Sequence, residues 1–241
     1  MAGPTSALLD RNAVVARLSR HRVLRHVARQ DLEQLISYAQ PKALAARARL
    51  FAAGDAGSAM YVLLSGWMKL SREGPAGRDL VLEVAGPGTM FGELAVVSNL
   101  PRATDATALT AVQLLAIDGR ALLAALRQNP DASLELLRVL GERLTRTTSQ
   151  MEDTLFLPAE ARLARALMRL AGLDPSPQAT DLRIDLGLSQ RELGELTGLS
   201  RESINKQLSL WRDAGLVALD GRSVTLLDGA ALADIGDGQA G

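Results

Sequence analysis

The chain has 241 residues, of which 47% are hydrophobic and 22% are charged. This composition is typical of a globular chain of one or two domains, and it excludes a miniprotein, a disordered chain and a collagen-like chain. The absence of cysteine excludes disulfides, zinc knuckles and cysteine-ligated iron–sulfur clusters. Because 27 basic and 27 acidic residues give a net charge of zero, any site for a polyanion must be a local patch.

The longest stretch without a charged residue, 56–68, has 13 residues and contains glycine and serine. A membrane-spanning helix needs about 20 predominantly apolar residues. The first residues also do not lead into an apolar signal core. We therefore expect a cytoplasmic protein without a membrane partner.

Residues 1–30 carry six arginines, together with His21 and His26, among scattered apolar residues. This pattern fits a leader followed by one short amphipathic helix. The two histidines are five residues apart and have no cysteine nearby, so we expect no metal site here.

Short apolar runs separated by glycine-rich turns occupy residues 50–117. The segments 67–72, 78–84 and 111–117 are the clearest strand candidates. Several such strands about ten residues apart predict a small antiparallel barrel or roll, which we assign to residues 31–130.

The periodicity becomes helical after Asn129-Pro130-Asp131. Six residues spaced three and four apart predict one helix of about 25 residues with a narrow seam: Leu137, Leu140, Leu144, Thr147, Met151 and Thr154. Such a seam is typical of a two-helix coiled coil, and burial in the chain's own core is the alternative. Pro158 ends the helix, so we place a dimerisation helix and hinge at residues 131–158.

Residues 159–228 predict a winged helix-turn-helix. A first helix covers residues 159–170. Ser189 and Glu192 then have the spacing of a capping box, Gly198 separates two helices, and Ser200 can cap the second. The expected core of this motif is Leu193, Leu196, Leu199, Ile204 and Leu208. Residues 217–226 predict a hairpin that forms the wing, and we expect residues 229–241 to be a flexible tail.

Phe91-Gly92-Glu93-Leu94-Ala95, followed by Pro101-Arg102-Ala103-Thr104, is the most informative segment of the roll. Amides at a helix start favour an anion, and an arginine can neutralise the exocyclic oxygens of a cyclic phosphate. The Glu93 carboxylate can accept a hydrogen bond from a ribose hydroxyl. A glycine turn beside a structural Glu93–Arg102 ion pair is the simpler alternative.

This segment resembles the phosphate-binding cassette of cyclic-nucleotide-binding domains. Residues 30–228 as a whole resemble the catabolite activator (cyclic-AMP receptor, CRP/FNR) family of bacterial transcription regulators. The resemblance also rests on Asn129-Pro130-Asp131, Phe156-Leu157 and Ser200-Arg201-Glu202, which follow in the family's order. It implies an α+β fold with an N-terminal antiparallel β-roll of the jelly-roll type, a long dimerisation helix and a C-terminal winged helix-turn-helix.

The resemblance implies that Glu93 binds the ribose 2′-hydroxyl and Arg102 the cyclic phosphate. The backbone at Gly92, Leu94 and Ala103 would complete the pocket. The cyclic-AMP receptor has serine in place of Ala103, whereas the regulatory subunit of cyclic-AMP-dependent protein kinase has the Pro-Arg-Ala form. Domains selective for cyclic GMP carry threonine there. We therefore expect cyclic AMP as the ligand in preference to cyclic GMP, and no metal, haem or iron–sulfur cluster.

Two further ligand contacts follow from the same resemblance. Thr147 and Thr148 occupy the place of the family's hydroxyl pair, which meets the purine. Because Thr147 lies on the predicted seam, a ligand there would touch both subunits. Without the cassette, an ordinary seam hydroxyl would be an equally good interpretation of Thr147.

Arg201, Glu202 and Lys206 share one face of the predicted recognition helix. Arginine can bind guanine bidentately and glutamate can accept from cytosine in the major groove. Residues at the two helix starts are placed for phosphate contacts: Ser189, Gln190, Arg191 and Ser200. A merely solvated face is the alternative, and Lys206, where the family typically has arginine, bears on the sequence of the half-site.

These features predict a homodimeric transcription regulator that binds a near-palindromic operator in double-stranded DNA and contacts RNA polymerase. An enzyme is not expected, because the sequence lacks a phosphate-binding P-loop, a nucleophile elbow and a zinc-protease motif. Two alternatives stay open. The roll could respond to another small molecule or to none, or the winged helix could contact protein instead of DNA.

Overall fold

The computed structural model describes residues 11–74, 79–172, 182–184 and 188–238. Contacts divide the chain into two units. The first contains Met1–Leu70 and Ala85–Thr145, and the second contains Ser71–Val84 and Arg146–Gly241.

The described residues form α-helices and short strands. The helices are α1 (Arg11–Leu18), α2 (Arg29–Ser37), α3 (Glu93–Ser98), α4 (Gly119–Gln128), α5 (Pro130–Phe156), α6 (Ala159–Leu170), α7 (Gln190–Thr197), α8 (Arg201–Asp213) and α9 (Gly229–Gly236). The strands are β1 (Gln40–Leu44), β2 (Arg49–Phe51), β3 (Ala59–Ser65), β4 (Met68–Glu73), β5 (Asp79–Ala85), β6 (Met90–Phe91), β7 (Asp105–Ala108), β8 (Val112–Asp118), β9 (Leu182–Ile184), β10 (Val217–Asp220) and β11 (Ser223–Leu226).

Two four-stranded sheets form the predicted roll, with strand orders β1-β8-β3-β6 and β2-β7-β4-β5. The β1–β8, β3–β8, β3–β6 and β2–β7 pairs are antiparallel. The three strand candidates from the sequence correspond to β4, β5 and β8. Strands β1, β2, β3, β6 and β7 were not predicted individually, and several of them are too short to show a period.

Strand β3 is buried on both faces, which explains why its sequence has no charge and no alternation. Met60 and Val62 belong to the hydrophobic cluster that includes α1, α2 and α4, whereas Tyr61 and Leu63 face the interior of the roll. A strand between two cores reads as a continuous apolar run, since successive side chains point to opposite faces.

The N-terminal segment from residue 14 onwards is part of the core, and it contains a short helix as expected, whereas the predicted leader before residue 11 lies outside the described residues. Val14, Leu18, Val23 and Leu24 are buried in the same cluster as α2 and α4. Arg22 fixes this segment further through ion pairs to Glu135 and Glu142 on α5. The apolar side chains between residues 14 and 27 thus form the buried side of α1 and of the short 3₁₀-helix Leu24–His26.

Helix α5 confirms the predicted long helix and spans 27 residues. Leu137, Leu144, Met151 and Leu155 are 61–73% exposed, although they are large and apolar. Together with Leu134, Gly141 and Thr148 they are spaced alternately three and four residues apart, the a/d spacing of a coiled coil. We call these seven residues the α5 seam.

The α5 seam differs from the predicted seam at every second position. Leu140 is partly buried against the core cluster of the first unit, and Thr147 is half-buried. The exposed line therefore passes through Gly141 and Thr148. Both choices of seam have the same spacing, so only the rotation of the helix on its core distinguishes them.

The second unit contains the winged helix-turn-helix. Strands β10 and β11 form the predicted hairpin, and β9, which was not predicted, pairs with β11. The described part of residues 229–241 also differs from the flexible tail that we expected, because Gly229–Gly236 forms α9. Asp228 caps this helix, Leu232 is fully buried, and Arg165 of α6 donates from Nε to the Gly236 carbonyl at 2.8 Å.

Candidate functional site

The cassette begins where β6 turns into α3. Gly92 joins the two elements with φ = 79°, a left-handed conformation that glycine adopts at low cost. A Cβ at Gly92 would also lie 2.7 Å from Nη1 of Arg102. A Cβ at Gly57 would collide with the Ala95 Cβ, so glycine lets this loop approach α3.

Arg102 is buried beneath this turn and is only 4% exposed. Its Nη1 donates to the Gly92 carbonyl at 2.7 Å, and its Nη2 donates to the Ala59 carbonyl at 2.6 Å. The guanidinium carbon lies 4.4 Å from the centroid of the Phe51 ring and 5.5 Å from that of Tyr61. Burial lowers the pKa of Arg102, against an opposing effect of Tyr61. Its buried Nε has no hydrogen-bond acceptor within the described part of the chain.

Glu93, the first residue of α3, is 1% exposed. Its Oε1 accepts a hydrogen bond of 2.6 Å from Nη1 of Arg143 on α5, and Nη2 of Arg143 donates to the Met90 carbonyl at 3.1 Å. Arg143 thus forms an ion pair with Glu93 that was not predicted from the sequence. Arg143 was not predicted as a site residue, although its place one helical turn before Thr147 is a signal that could have drawn attention to it.

The other predicted ligand residues lie on both units. Gly92, Leu94 and Ala103 belong to the first unit with Glu93 and Arg102, and the Leu94 and Ala103 side chains are exposed. Thr147 and Thr148 belong to the second unit, where Thr148 is exposed on the α5 seam.

The helix-turn-helix has the predicted capping. The Ser189 amide and hydroxyl donate to Oε2 of Glu192 at 2.7 and 2.8 Å, and the Ser189 side chain accepts from the Glu192 amide, which completes the capping box. Gly198 ends α7 with φ = 69°, and Ser200 caps α8 by accepting from the Ser203 amide at 3.1 Å. A Cβ at Gly194 would lie 2.6 Å from the Leu199 carbonyl oxygen, so glycine permits the tight turn.

Burial fixes which face of α8 points outward. Ile204, Leu208 and Trp211 are buried, as is Leu193 of α7, whereas Leu196 and Leu199 are half-buried. The residues predicted to read bases, Arg201, Glu202 and Lys206, are all exposed. The interior of the motif therefore leaves the polar face of α8 accessible.

A groove runs between α7, α8 and the wing. Three arginines line it, Arg191, Arg201 and Arg222, together with Ser189 and Gln190. Arg191 also pairs with Glu195 at 2.9 Å. The Gln190 side chain donates from Nε2 to Oδ1 of Asn205 at 3.1 Å, which connects the start of α7 to α8.

Neither a metal cluster nor a membrane-spanning helix occurs in the described ranges. Within them, no group of three or more histidine, aspartate or glutamate residues is arranged to hold a metal ion. None of their helices combines the length and apolarity that crossing a membrane requires.

Comparison with known families gives two matches in the same order as the two sites. A profile described as cyclic nucleotide-binding domain matches residues 41–129, and one described as Crp-like helix-turn-helix domain matches residues 161–235.

Known proteins and solved structures resemble the chain over most of its length. A Mycobacterium tuberculosis protein named CRP-like cAMP-activated global transcriptional regulator is 34% identical over 216 residues, 90% of this chain and 96% of the relative. The cyclic AMP receptor protein of Thermus thermophilus is 30% identical over 216 residues, 89% of this chain and 96% of the relative. The structure of the c-di-GMP responsive regulator CLP of Xanthomonas campestris is 25% identical with a TM-score of 0.67, and the match covers 83% of this chain and 99% of that one. The chain therefore belongs to the CRP family of transcription regulators, with a cyclic nucleotide-binding domain followed by a Crp-like helix-turn-helix domain.

Proposed function

We propose that this regulator is a homodimer controlled by cyclic AMP, which binds at the cassette and changes the affinity of two winged helices for a near-palindromic operator. The observation that carries the proposal is the buried Arg102 beneath the Gly92 turn, with Glu93 beside it at the start of α3. The names of the Mycobacterium and Thermus relatives support cyclic AMP as the ligand class. The proposal assigns no catalytic activity to the chain and places it in the cytoplasm.

The charge of Arg102 suits a cyclic phosphate. Arginine has five N–H donors, and the carbonyls of Gly92 and Ala59 use two of them. The remaining donors include the buried Nε, and a phosphate oxygen there would accept a charge-assisted hydrogen bond. The backbone amides of Leu94 and Ala103 would add donors to the same anion.

Glu93 would hold the sugar in this proposal. Its carboxylate can accept a hydrogen bond from the ribose 2′-hydroxyl while Arg143 holds Oε1 at 2.6 Å. Thr147 and Thr148 would contact the purine, and the exposure of Thr148 on the α5 seam makes it the residue best placed to bind a ligand across a dimer axis.

The α5 seam supports the homodimer. Burying its apolar side chains against a second copy would gain roughly 25 cal/mol for each Å² of apolar surface removed from water. Ligand bound near Thr148 would then favour one packing of the paired helices, to the extent that it binds that packing more tightly.

The α8 face supports DNA as the partner of the second unit. We propose that Arg201, Glu202 and Lys206 contact base edges and that Ser189, Gln190, Arg191 and Ser200 lie near phosphates. Dimeric helix-turn-helix proteins bind two half-sites that lie about one helical turn of DNA apart, and we expect the same spacing for this regulator. RNA polymerase would be the further partner of a dimer bound to a promoter.

Titration calorimetry of the purified protein with cyclic AMP, and with cyclic GMP for comparison, tests the ligand. We expect saturable binding of cyclic AMP and loss of that binding in Arg102→Ala. Arg127→Ala is the matched control, since Arg127 is exposed on α4 and away from the cassette. Full affinity in Arg102→Ala would refute the cassette assignment.

A second effector class is favoured by one observation. The structure of the CLP regulator, which is described as c-di-GMP responsive, has the same fold at 25% identity. Cyclic di-GMP therefore belongs in the same titration. Binding of this ligand alone would retain the DNA-binding function and replace cyclic AMP as the effector.

The salt dependence of binding to random duplex DNA separates DNA from a protein partner. Neutralising phosphates releases counterions, so affinity for DNA should fall steeply with salt. A flat dependence, or no binding, would favour a winged helix that contacts protein.

A further inference from the structure

Asn205 lies in the centre of the exposed face of α8. Buried Ile204, Leu208 and Trp211 fix the rotation of the helix, and Asn205 itself is exposed. At about 100° per residue, Asn205 projects roughly 40° from Arg201 and roughly 60° from Glu202, on the side between them. Asn205 therefore lies on the same side of α8 as these two residues, about one helical turn further along the axis.

The Asn205 amide is held from one side. Its Oδ1 accepts the 3.1 Å hydrogen bond from Nε2 of Gln190, the first residue of α7. The backbone of Gln190 is itself fixed, because the capping box of Ser189 and Glu192 begins the same helix turn. The hydrogen bond from Gln190 therefore favours the orientation in which Oδ1 of Asn205 faces the start of α7.

The hydrogen bond from Gln190 leaves Asn205 with the hydrogen-bonding groups that can recognise adenine. An amide oxygen has two lone pairs and an amide nitrogen has two hydrogens. After Gln190 takes one lone pair, Asn205 retains one acceptor and both Nδ2 hydrogens. Asparagine uses this pair of groups to bind N6 and N7 of adenine in the major groove.

We propose that Asn205 is a specificity-determining residue that reads an A·T base pair in each half-site, and that Gln190 is its positioning residue. This inference rests on the proposed DNA-binding function of α8. It adds an adenine contact to the guanine and cytosine contacts assigned to Arg201 and Glu202, and it gives Gln190 a role in selectivity in place of a phosphate contact.

The test compares the full chain and its variants on palindromic duplexes with randomised half-sites, with and without cyclic AMP. In Asn205→Ala we expect the preference for adenine at one half-site position to fall by about 5- to 150-fold, with the other positions unchanged. Arg201→Ala is the matched control, and its loss should fall at a different base pair. Thermal unfolding of each variant checks that the exposed substitution leaves the winged helix-turn-helix folded.

Gln190→Met tests the positioning role, because methionine has a similar length and no amide. We expect a smaller loss of adenine preference at the same base pair as in Asn205→Ala. An equal loss of affinity for every sequence would overturn the positioning role, since that is the result of a lost phosphate contact.

The remaining outcomes separate this inference from the proposed function. If the unsubstituted protein prefers certain sequences and Asn205→Ala keeps the same profile, Asn205 does not read a base and the inference is wrong. If the unsubstituted protein shows no sequence preference with or without cyclic AMP, the DNA-reading function fails and the inference fails with it.

Discussion

Arg143 on α5 donates a 2.6 Å hydrogen bond to the buried carboxylate of Glu93, the first residue of the cassette helix α3. The pair joins the long helix to the segment expected to bind the nucleotide. Any movement of Arg143 therefore changes the electrostatic surroundings of a carboxylate that is 1% exposed.

Arg143→Ala should lower the free energy of unfolding by about 3 kcal/mol, because it leaves a buried carboxylate without this counter-charge. Adding Glu93→Gln to Arg143→Ala should recover part of the loss, since the remaining side chain is then neutral. Denaturant unfolding of the two single variants and the double variant measures the coupling. Additive losses would show that the ion pair contributes no coupling energy.

Leu144→Glu should convert the proposed homodimer into a monomer of 25.6 kDa, the mass of one chain. Leu144 is 70% exposed within one chain, so the substitution costs the isolated chain little, but it would place like charges together at a symmetric seam. Analytical ultracentrifugation measures the mass. Arg146→Glu, on an exposed position on the opposite side of α5, should leave the dimer intact.

Asp153→Ala should destabilise the second unit by about 3 kcal/mol. The Asp153 carboxylate is buried and accepts hydrogen bonds from Arg165 at 2.8 Å and Arg169 at 2.7 Å, so its removal takes this anion from two guanidinium groups of α6, of which Arg165 keeps a 3.3 Å ion pair with Asp237. Thermal unfolding measures the change. The neighbouring exposed Glu152 provides the control, and Glu152→Ala should change stability by no more than about 0.5 kcal/mol. Equal effects of the two substitutions would contradict the structural role of Asp153.

Because of His21, the free energy of unfolding should decrease when the pH falls below about 6.5. Burial lowers the pKa of His21 from its ordinary value of 6.5, although a backbone hydrogen bond at Gly88 acts in the opposite direction. The unfolded chain therefore binds this proton more readily than the folded chain. The contribution of His21 to folding stability is fully present above the pKa of the unfolded chain, and it is lost as the pH falls through the pKa of the folded chain. The neutral ring is needed because its Nδ1 accepts hydrogen bonds from the amides of Val23 and Leu24.

His21→Asn tests this dependence, since asparagine can still accept hydrogen bonds from nearby amides but does not titrate. Unfolding midpoints measured between about pH 7.5 and about pH 5.5 should fall less in this variant than in the unsubstituted protein. His26→Asn is the control for the loss of a histidine. The idea fails if His21→Asn keeps the full pH dependence.

Features that depend on neighbours along the chain could be predicted from the order of residues. The limits of α6, the length of α5 and the capping box of Ser189 and Glu192 follow from periodicity and from side chains three or four residues apart. The cassette was also recognisable, because Gly92, Glu93 and Arg102 stand in a local motif that resembles the phosphate-binding cassette of cyclic-nucleotide-binding domains.

Other features depend on contacts between residues that are far apart in the sequence, and these contacts are decided by how the segments pack together. Arg143 and Glu93 are 50 residues apart, and no local pattern pairs them. The packing of Leu140 on the core rotates α5 so that Thr148, and not Thr147, joins the exposed seam, although both seams have the same spacing. Helix α9 forms because Arg165 and buried Leu232 hold it on α6. In each case the deciding energy comes from contacts between segments far apart in sequence, which the order of residues along one segment does not contain.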